Sequence, residues 1–177
     1  MACGQPQQSN TTVQETRPSE IKADEPVKPE MLIVPGSGIG YIKINEAADS
    51  VIKALGKPTK QDAAMGAQSL TWLNDNDTIT VYAHRNFGGK DENVSHIKLI
   101  RVTSPKYKTS KWVHVGFPLD SLMKEYPGAV KEIAQGIAMY SDVKKGITFE
   151  MNAEQRCSAI IVHAAGDTSA AYLDIRH

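Results

Sequence analysis

The sequence predicts an α+β fold of two tandem repeats, each running strand, helix, short helix and three strands, with an antiparallel sheet and the helices packed on one face. Three observations predict it. The stretch Ile42-Lys43-Ile44-Asn45 followed by Ala48, Val51, Ile52, Leu55 and Gly56 returns about 71 residues later as Val113-His114-Val115-Gly116 followed by Leu119, Leu122, Met123, Tyr126 and Pro127. Thr78-Ile79-Thr80-Val81 returns as Gly146-Ile147-Thr148-Phe149 at a shift of 68 residues. A chain of 177 residues with 41% hydrophobic content can bury the core of one globular unit or of two small ones.

Each element follows from a local pattern. In the leading segment of each repeat two β-branched residues alternate with polar ones, as in a short strand with one buried face. The apolar residues that follow fall at i, i+3, i+4 and i+7, one face of a helix. Asn45 suits a helix N-cap and Gly116 tolerates the same position, while Pro118 fits a first turn. Gly56 with Pro58, and Pro127 with Gly128, stop both helices. Residues 59–65 and 129–135 read as the short second helices. Residues 70–73 and 78–83 read as a hairpin across Asn74-Asp75-Asn76-Asp77, and 96–102 as the third strand. In the second repeat 139–140, 146–149 and 158–163 take these places, and 170–175 reads as one more strand at the sheet's edge. Upstream, Met31-Leu32-Ile33-Val34 is a short apolar run that ends in Pro35-Gly36-Ser37-Gly38-Ile39-Gly40. That loop has neither G-x-G-x-x-G spacing nor a following helix, so it reads as a flexible join and not as a phosphate cradle.

Lysine plus arginine and aspartate plus glutamate each number 20, and the basic residues are scattered, so no electrostatic footprint for nucleic acid is present. No apolar run approaches the roughly 18 to 20 residues that span a bilayer. Residues 5–30 are rich in Gln, Ser, Thr, Pro, Glu and Lys with almost no large apolar side chain, a composition that cannot bury enough surface to fold. The chain divides accordingly into 1–30, a disordered tether; 31–110, a first repeat; and 111–177, a second repeat. Met1-Ala2-Cys3-Gly4 resembles the end of a bacterial lipoprotein signal, the lipobox, in which a small residue precedes the cysteine that becomes lipidated. The resemblance implies lipid attachment at Cys3 and a place in the bacterial cell envelope, membrane-bound through that anchor only and facing the periplasm or the outside. The bland alternative is an ordinary cysteine in an unfolded tail. Cys157, before Ala159-Ile160-Ile161-Val162, reads as a buried small hydrophobe.

The two segments of the form V/I-x-V/I-(G/N)-x-x-x-D-S-x-x-x-x-x-(G/P) give the chain a further likeness. Over about residues 40–165 it resembles the tandem repeat of the β-lactamase-inhibitor-protein-like fold, found also in small envelope lipoproteins of the SmpA/OmlA type. What the resemblance implies is a fold and an envelope setting. It does not extend to β-lactamase inhibition, because each repeat lacks a cysteine pair and the tip from Asn74 to Asp77 has no aromatic pair after it.

Chemistry-bearing residues are sparse. None of the five histidines stands at i, i+2 or i+4 from another, so no metal site and no cofactor are expected. Serine-nucleophile motifs are missing. Asp49 and Asp120 recur at the same helical position, as a symmetric carboxylate pair would, or as first-turn acids that favour the helix dipole. The binding candidates are residues the alternation leaves on the uncovered face: Tyr41, Tyr82, His84, Trp112 and His114, with tyrosine and tryptophan the side chains that interfaces use as anchors. The expected function is therefore a non-catalytic, lipid-anchored envelope protein, not an enzyme, that binds another envelope protein through its sheet face. The alternative is a small molecule or saccharide held in the cleft between the repeats, with Tyr41, Tyr82 and Trp112 as stacking platforms.

Overall fold

The computed structural model describes residues 1, 26–75 and 77–168. Cys3, the tether up to residue 25, Asn76 and the expected strand 170–175 lie outside the described residues. After a single 3₁₀ turn at Pro29–Met31, the strands β1 (Leu32–Val34), β2 (Gly38–Ile39) and β3 (Ile42–Lys43) lead to helix α1 (Ala48–Leu55). Four strands follow: β4 (Lys60–Ala64), β5 (Ala67–Asn74), β6 (Asp77–Arg85) and β7 (Ser95–Val102). Then come β8 (Lys108–Thr109), helix α2 (Leu119–Glu125) and four more strands, β9 (Val130–Ala134), β10 (Ile137–Asp142), β11 (Ile147–Met151) and β12 (Cys157–His163).

The strands form two sheets. A large antiparallel sheet of eight strands has the order β4-β5-β6-β7-β12-β11-β10-β9, so the four strands after α1 and the four after α2 meet at the β7–β12 pair. A small sheet has the order β3-β2-β1-β8, with β1 and β8 parallel. The α+β expectation is thereby corrected. Strand accounts for 46% of the described structure and helix for 13%, so the fold is mostly β and has no helical layer. The helices α1 and α2 are only 8 and 7 residues long.

The expected short helices are strands. Residues 59–65 supply β4 and 129–135 supply β9, despite helix-favouring Ala, Gln, Lys and Glu, because each is drawn into a hairpin with the next strand. The two-residue connections are Met65-Gly66, at φ 50° and 84°, and Gln135-Gly136, at φ 50° and 78°. Positive φ at both positions is what a type I′ hairpin turn requires.

Neither helix is capped as expected. Asn45 lies at φ 69°, donating its N–H to the Ile97 carbonyl at 2.8 Å and accepting from the His96 ring at 2.9 Å. Held to β7 in this way, it leaves Ala47 as the N-cap of α1, and Pro118 rather than Gly116 is that of α2. The leading strand of the second repeat does not form either. Trp112 turns the chain at φ 62°, its N–H bonded to the Thr109 carbonyl at 2.9 Å, and residues 113–115 keep only one bridge, His114 to Lys108.

The glycine-rich stretch is a tight hairpin and not a flexible join: Ile33 pairs with Ile39, and Gly38 with Lys43. A Cβ on Gly38 would stand 2.1 Å from the Ile42 carbonyl oxygen, so only glycine lets β2 and β3 approach. Ile33, Ile39 and Ile42 of this sheet, Val51 of α1, Leu122 of α2 and Tyr126 form one core with Val81, Ile100, Phe149 and Ile160 of the large sheet. At the outer margins of the large sheet β4 is exposed throughout, and β9 carries Val130 and Ile133 at 63% and 73% exposure.

Candidate binding surface

The five expected binding residues do not share one face. Tyr82 and His84 project from β6 on the side of the large sheet away from the main core, opposite Leu99 and His96 of β7. Tyr82 packs at the margin of a second apolar cluster formed by Leu99, Met139 and Ile161. Tyr41 sits elsewhere, 72% exposed beside the small sheet, over a narrow hollow of about 70 Å³ that Leu55 and Tyr107 also line. Trp112 and His114 stand together on the loop between β8 and α2. The Lys108 ammonium lies 4.5 Å from the centre of the Trp112 ring, and His114 meets the Phe117 ring edge-on at 5.5 Å. Asp49 and Asp120 are exposed in the first turns of their helices, where the dipole favours them.

Around His84 the structure adds residues that the sequence did not single out. The loop 86–94 returns Phe87 onto the end of β6, its ring 5.8 Å from the His84 ring in an edge-on contact. Beneath it lies the Met65-Gly66 turn; a Cβ at Gly66 would come within 2.4 Å of the Phe87 ring, so glycine serves both the turn and the seat of the ring. Phe87 is nonetheless 67% exposed, Met65 94% and Val94 37%. Arg85 lines two adjoining shallow hollows here of about 190 and 200 Å³, shared with Gln68 and Ser95. Met65, Phe87, His84 and Arg85 thus make one apolar, aromatic and cationic corner on a hairpin scaffold. The signal in the sequence was a phenylalanine inside a loop too polar to bury it, and a methionine at a Met-Gly turn.

The chemistry of the sheet is directed inward. Arg101 grips Glu150 with Nε to Oε1 at 3.0 Å and Nη2 to Oε2 at 2.7 Å, an ion pair between β7 and β11 with 13% and 4% side-chain exposure. Thr148 donates to Ser141 at 3.0 Å and stands 3.3 Å from Nε2 of His163, whose Nδ1 lies 3.0 Å from the Ala164 carbonyl. Burial holds the His163 pKa below the ordinary histidine value, against the opposing pull of the Ala164 carbonyl and Asp167. Burial, aided by Glu150, pushes the Cys157 thiol up to about 12, far from a reactive thiolate. No buried side-chain nitrogen or oxygen among the described residues lacks a partner. Such a satisfied network rigidifies a sheet. Among the described residues no three His, Cys, Asp or Glu stand together as a metal site, and no helix is long and apolar enough to cross a membrane.

No protein family and no curated protein match the chain. Solved structures do. A DUF4309 family protein of Bacillus subtilis, YjgB, superposes with a TM-score of 0.51 at 15% identity over 73% of this chain and 88% of its own, which shows a shared fold alone. The uncharacterized protein YfeY of Escherichia coli gives 0.43 at 13% identity over 73% of this chain and 98% of its own. A cysteine-rich secretory protein of Staphylococcus aureus gives 0.45 at 12% identity over 73% of this chain, which spans about half, 48%, of that protein's length.

Proposed function

We propose that this chain is a non-catalytic protein of the bacterial envelope, anchored by lipid at Cys3, that binds another protein through the large sheet at the corner carrying Tyr82 and His84. The observation that carries the reading is the exposure of Phe87 and Met65, at 67% and 94%, beside His84 and Arg85 at the ends of two adjoining hairpins. Large apolar, aromatic and arginine side chains grouped in the open are what interface centres are made of. The anchor rests on the likeness of Ala2-Cys3-Gly4 to a lipobox. Support for the cleft alternative is weaker: the hollow beside Trp112 holds about 200 Å³, short of the roughly 300 Å³ at which small-molecule pockets begin.

The test is a pull-down from detergent-solubilised envelope with the full chain, a Met65→Ser/Phe87→Ser variant and a Tyr41→Ala/Trp112→Ala variant. The reading expects one protein captured by the wild type and by the second variant, and lost by the first. Equal capture by all three, or loss only with Tyr41 and Trp112, overturns the corner as the binding surface.

A further inference from the structure

Beside the small sheet lies a basic surface that the corner at Phe87 does not include. β1 and β8 run parallel with Leu32 opposite Lys108, so the segments that lead into them arrive side by side and bring Lys28 and Met31 next to Lys106 and Lys108. With Val27 and Trp112 these residues line the shallow hollow of about 200 Å³. Lys106 and Ser104 both hold Asp77, at 3.4 and 2.8 Å. Lys28 and Lys108 have no carboxylate partner among the described residues. Trp112 is held against its own preference, because a φ of 62° is an outlier for so large a side chain. Three N–H groups fix the turn: Trp112 donates to the Thr109 carbonyl at 2.9 Å, and Lys111 and Val113 donate to Thr109 Oγ1 at 3.3 and 3.2 Å. Glycine or asparagine makes such a turn with less strain. What tryptophan adds here is its ring, half-buried and 4.5 Å from the Lys108 ammonium.

We propose that this surface is a second membrane contact, which docks Lys28, Lys108 and Trp112 on anionic phospholipid head groups and so points the corner at Phe87 away from the bilayer. The proposal rests on the lipid-anchor reading and deepens it from attachment to orientation. A tryptophan among lysines is the composition of a surface that lies on anionic lipid, the ring at head-group level and the ammonium groups against phosphates. A phosphorylated peptide is the rival occupant, and three points favour the membrane. Phosphopeptide sites are built on arginine forks, whereas every cation lining this hollow is a lysine. The described chain resumes at Pro26, itself a lining residue of the hollow and downstream of Cys3. Lastly, Asp77, which Lys106 holds, opens β6, and Arg85 at the corner closes it. The nine residues of β6, at about 3.4 Å a step, set the two surfaces about 27 Å apart. A molecule resting on one therefore presents the other.

The test couples the full chain through Cys3 to maleimide lipid in phosphatidylcholine vesicles, made with or without phosphatidylglycerol and carrying bromine on the acyl chains near the head group. Cys157 is buried and does not compete. Bromine quenches nearby tryptophan, so the difference between the full chain and its Trp112→Phe variant reports Trp112 alone. Quenching of Trp112 is expected with phosphatidylglycerol and not without it, and is lost at about 1 M salt, where charges are screened beyond about 3 Å. Each lysine close to an anionic surface strengthens binding about fivefold, so Lys28→Gln/Lys108→Gln should lower the ratio of docked to undocked protein about twentyfold. Equal quenching in both vesicles, none in either, or no effect of the double substitution overturns the proposal. So does abolition of the quenching by a micromolar phosphoserine peptide, which would mark a protein site. Because the coupling itself supplies the anchor, none of these outcomes decides lipidation at Cys3. The mass of the N-terminal peptide from native envelope decides that separately.

Discussion

The four strands after α1 and the four after α2 hold mirrored places in one sheet, yet β11 is buried at all five positions while β6 is buried at only three of nine. The two sets differ little in framework and much in their connections. Between β6 and β7 runs the nine-residue loop 86–94 that carries Phe87, whereas β11 and β12 are joined by the five residues 152–156, closed by Asn152 and Arg156. The Met-Gly turn of the first set is a Gln-Gly turn in the second. A shared backbone plan holds the sheet, and the departures from it lie in the connections, where Phe87 and Met65 stand exposed.

Removing the link between the sets should do most damage. Arg101→Met leaves Glu150 charged, buried and unpaired, and should cost about 3–5 kcal/mol in urea unfolding. The double variant Arg101→Met/Glu150→Leu should recover most of that, and a double variant as unstable as the single would show that the sheet depends on the ion pair itself. Next come the matched positions Val81 and Phe149, both fully buried. Phe149→Ala should cost about 3–5 kcal/mol and Val81→Ala less, since fewer methylenes leave the core. Equal losses would break the view that the second set is the more tightly filled.

A smaller effect belongs to His163. Because burial lowers its folded pKa below the unfolded value, the unfolded chain binds the proton more readily. Its contribution is therefore intact above the ordinary histidine pKa of about 6.5 and is lost as pH falls through that value toward the folded one. The melting temperature of the wild type should drop more between pH 7 and pH 5 than that of His163→Gln; parallel curves would assign the acid loss to other groups. Smallest of all, Met65→Ser and Phe87→Ser should each change stability by no more than about 0.5 kcal/mol, the range of surface positions free of structural roles. A larger loss would make the exposed corner part of the fold and not a docking surface.

Much of the large sheet was legible because β5, β6, β7, β10, β11 and β12 alternate cleanly or repeat one another. The class was not. In β4 and β9, Lys-Gln-Asp-Ala-Ala and Val-Lys-Glu-Ile-Ala favour helix locally, and only pairing with the following strand makes them extended. For the surface, Tyr82 and His84 share a face because β6 alternates through both, the register shift beside Tyr82 being taken up by Lys98 of β7. Trp112 and His114 went elsewhere because a left-handed residue turned the chain where a strand was expected. Phe87 was hidden for the opposite reason: loops have no period from which to read a direction.

The open margins of the sheet have a consequence beyond this one molecule. β4 and β9 are the outermost strands of the large sheet among the described residues, and Val130 and Ile133 add apolar surface to one of them. Chains so built invite end-to-end polymerisation. Here Lys60 and Asp62 on one margin, and Lys131 and Glu132 on the other, put charge wherever a neighbouring molecule would have to lay its strand. Those four side chains keep a second copy from adding its strand to either margin.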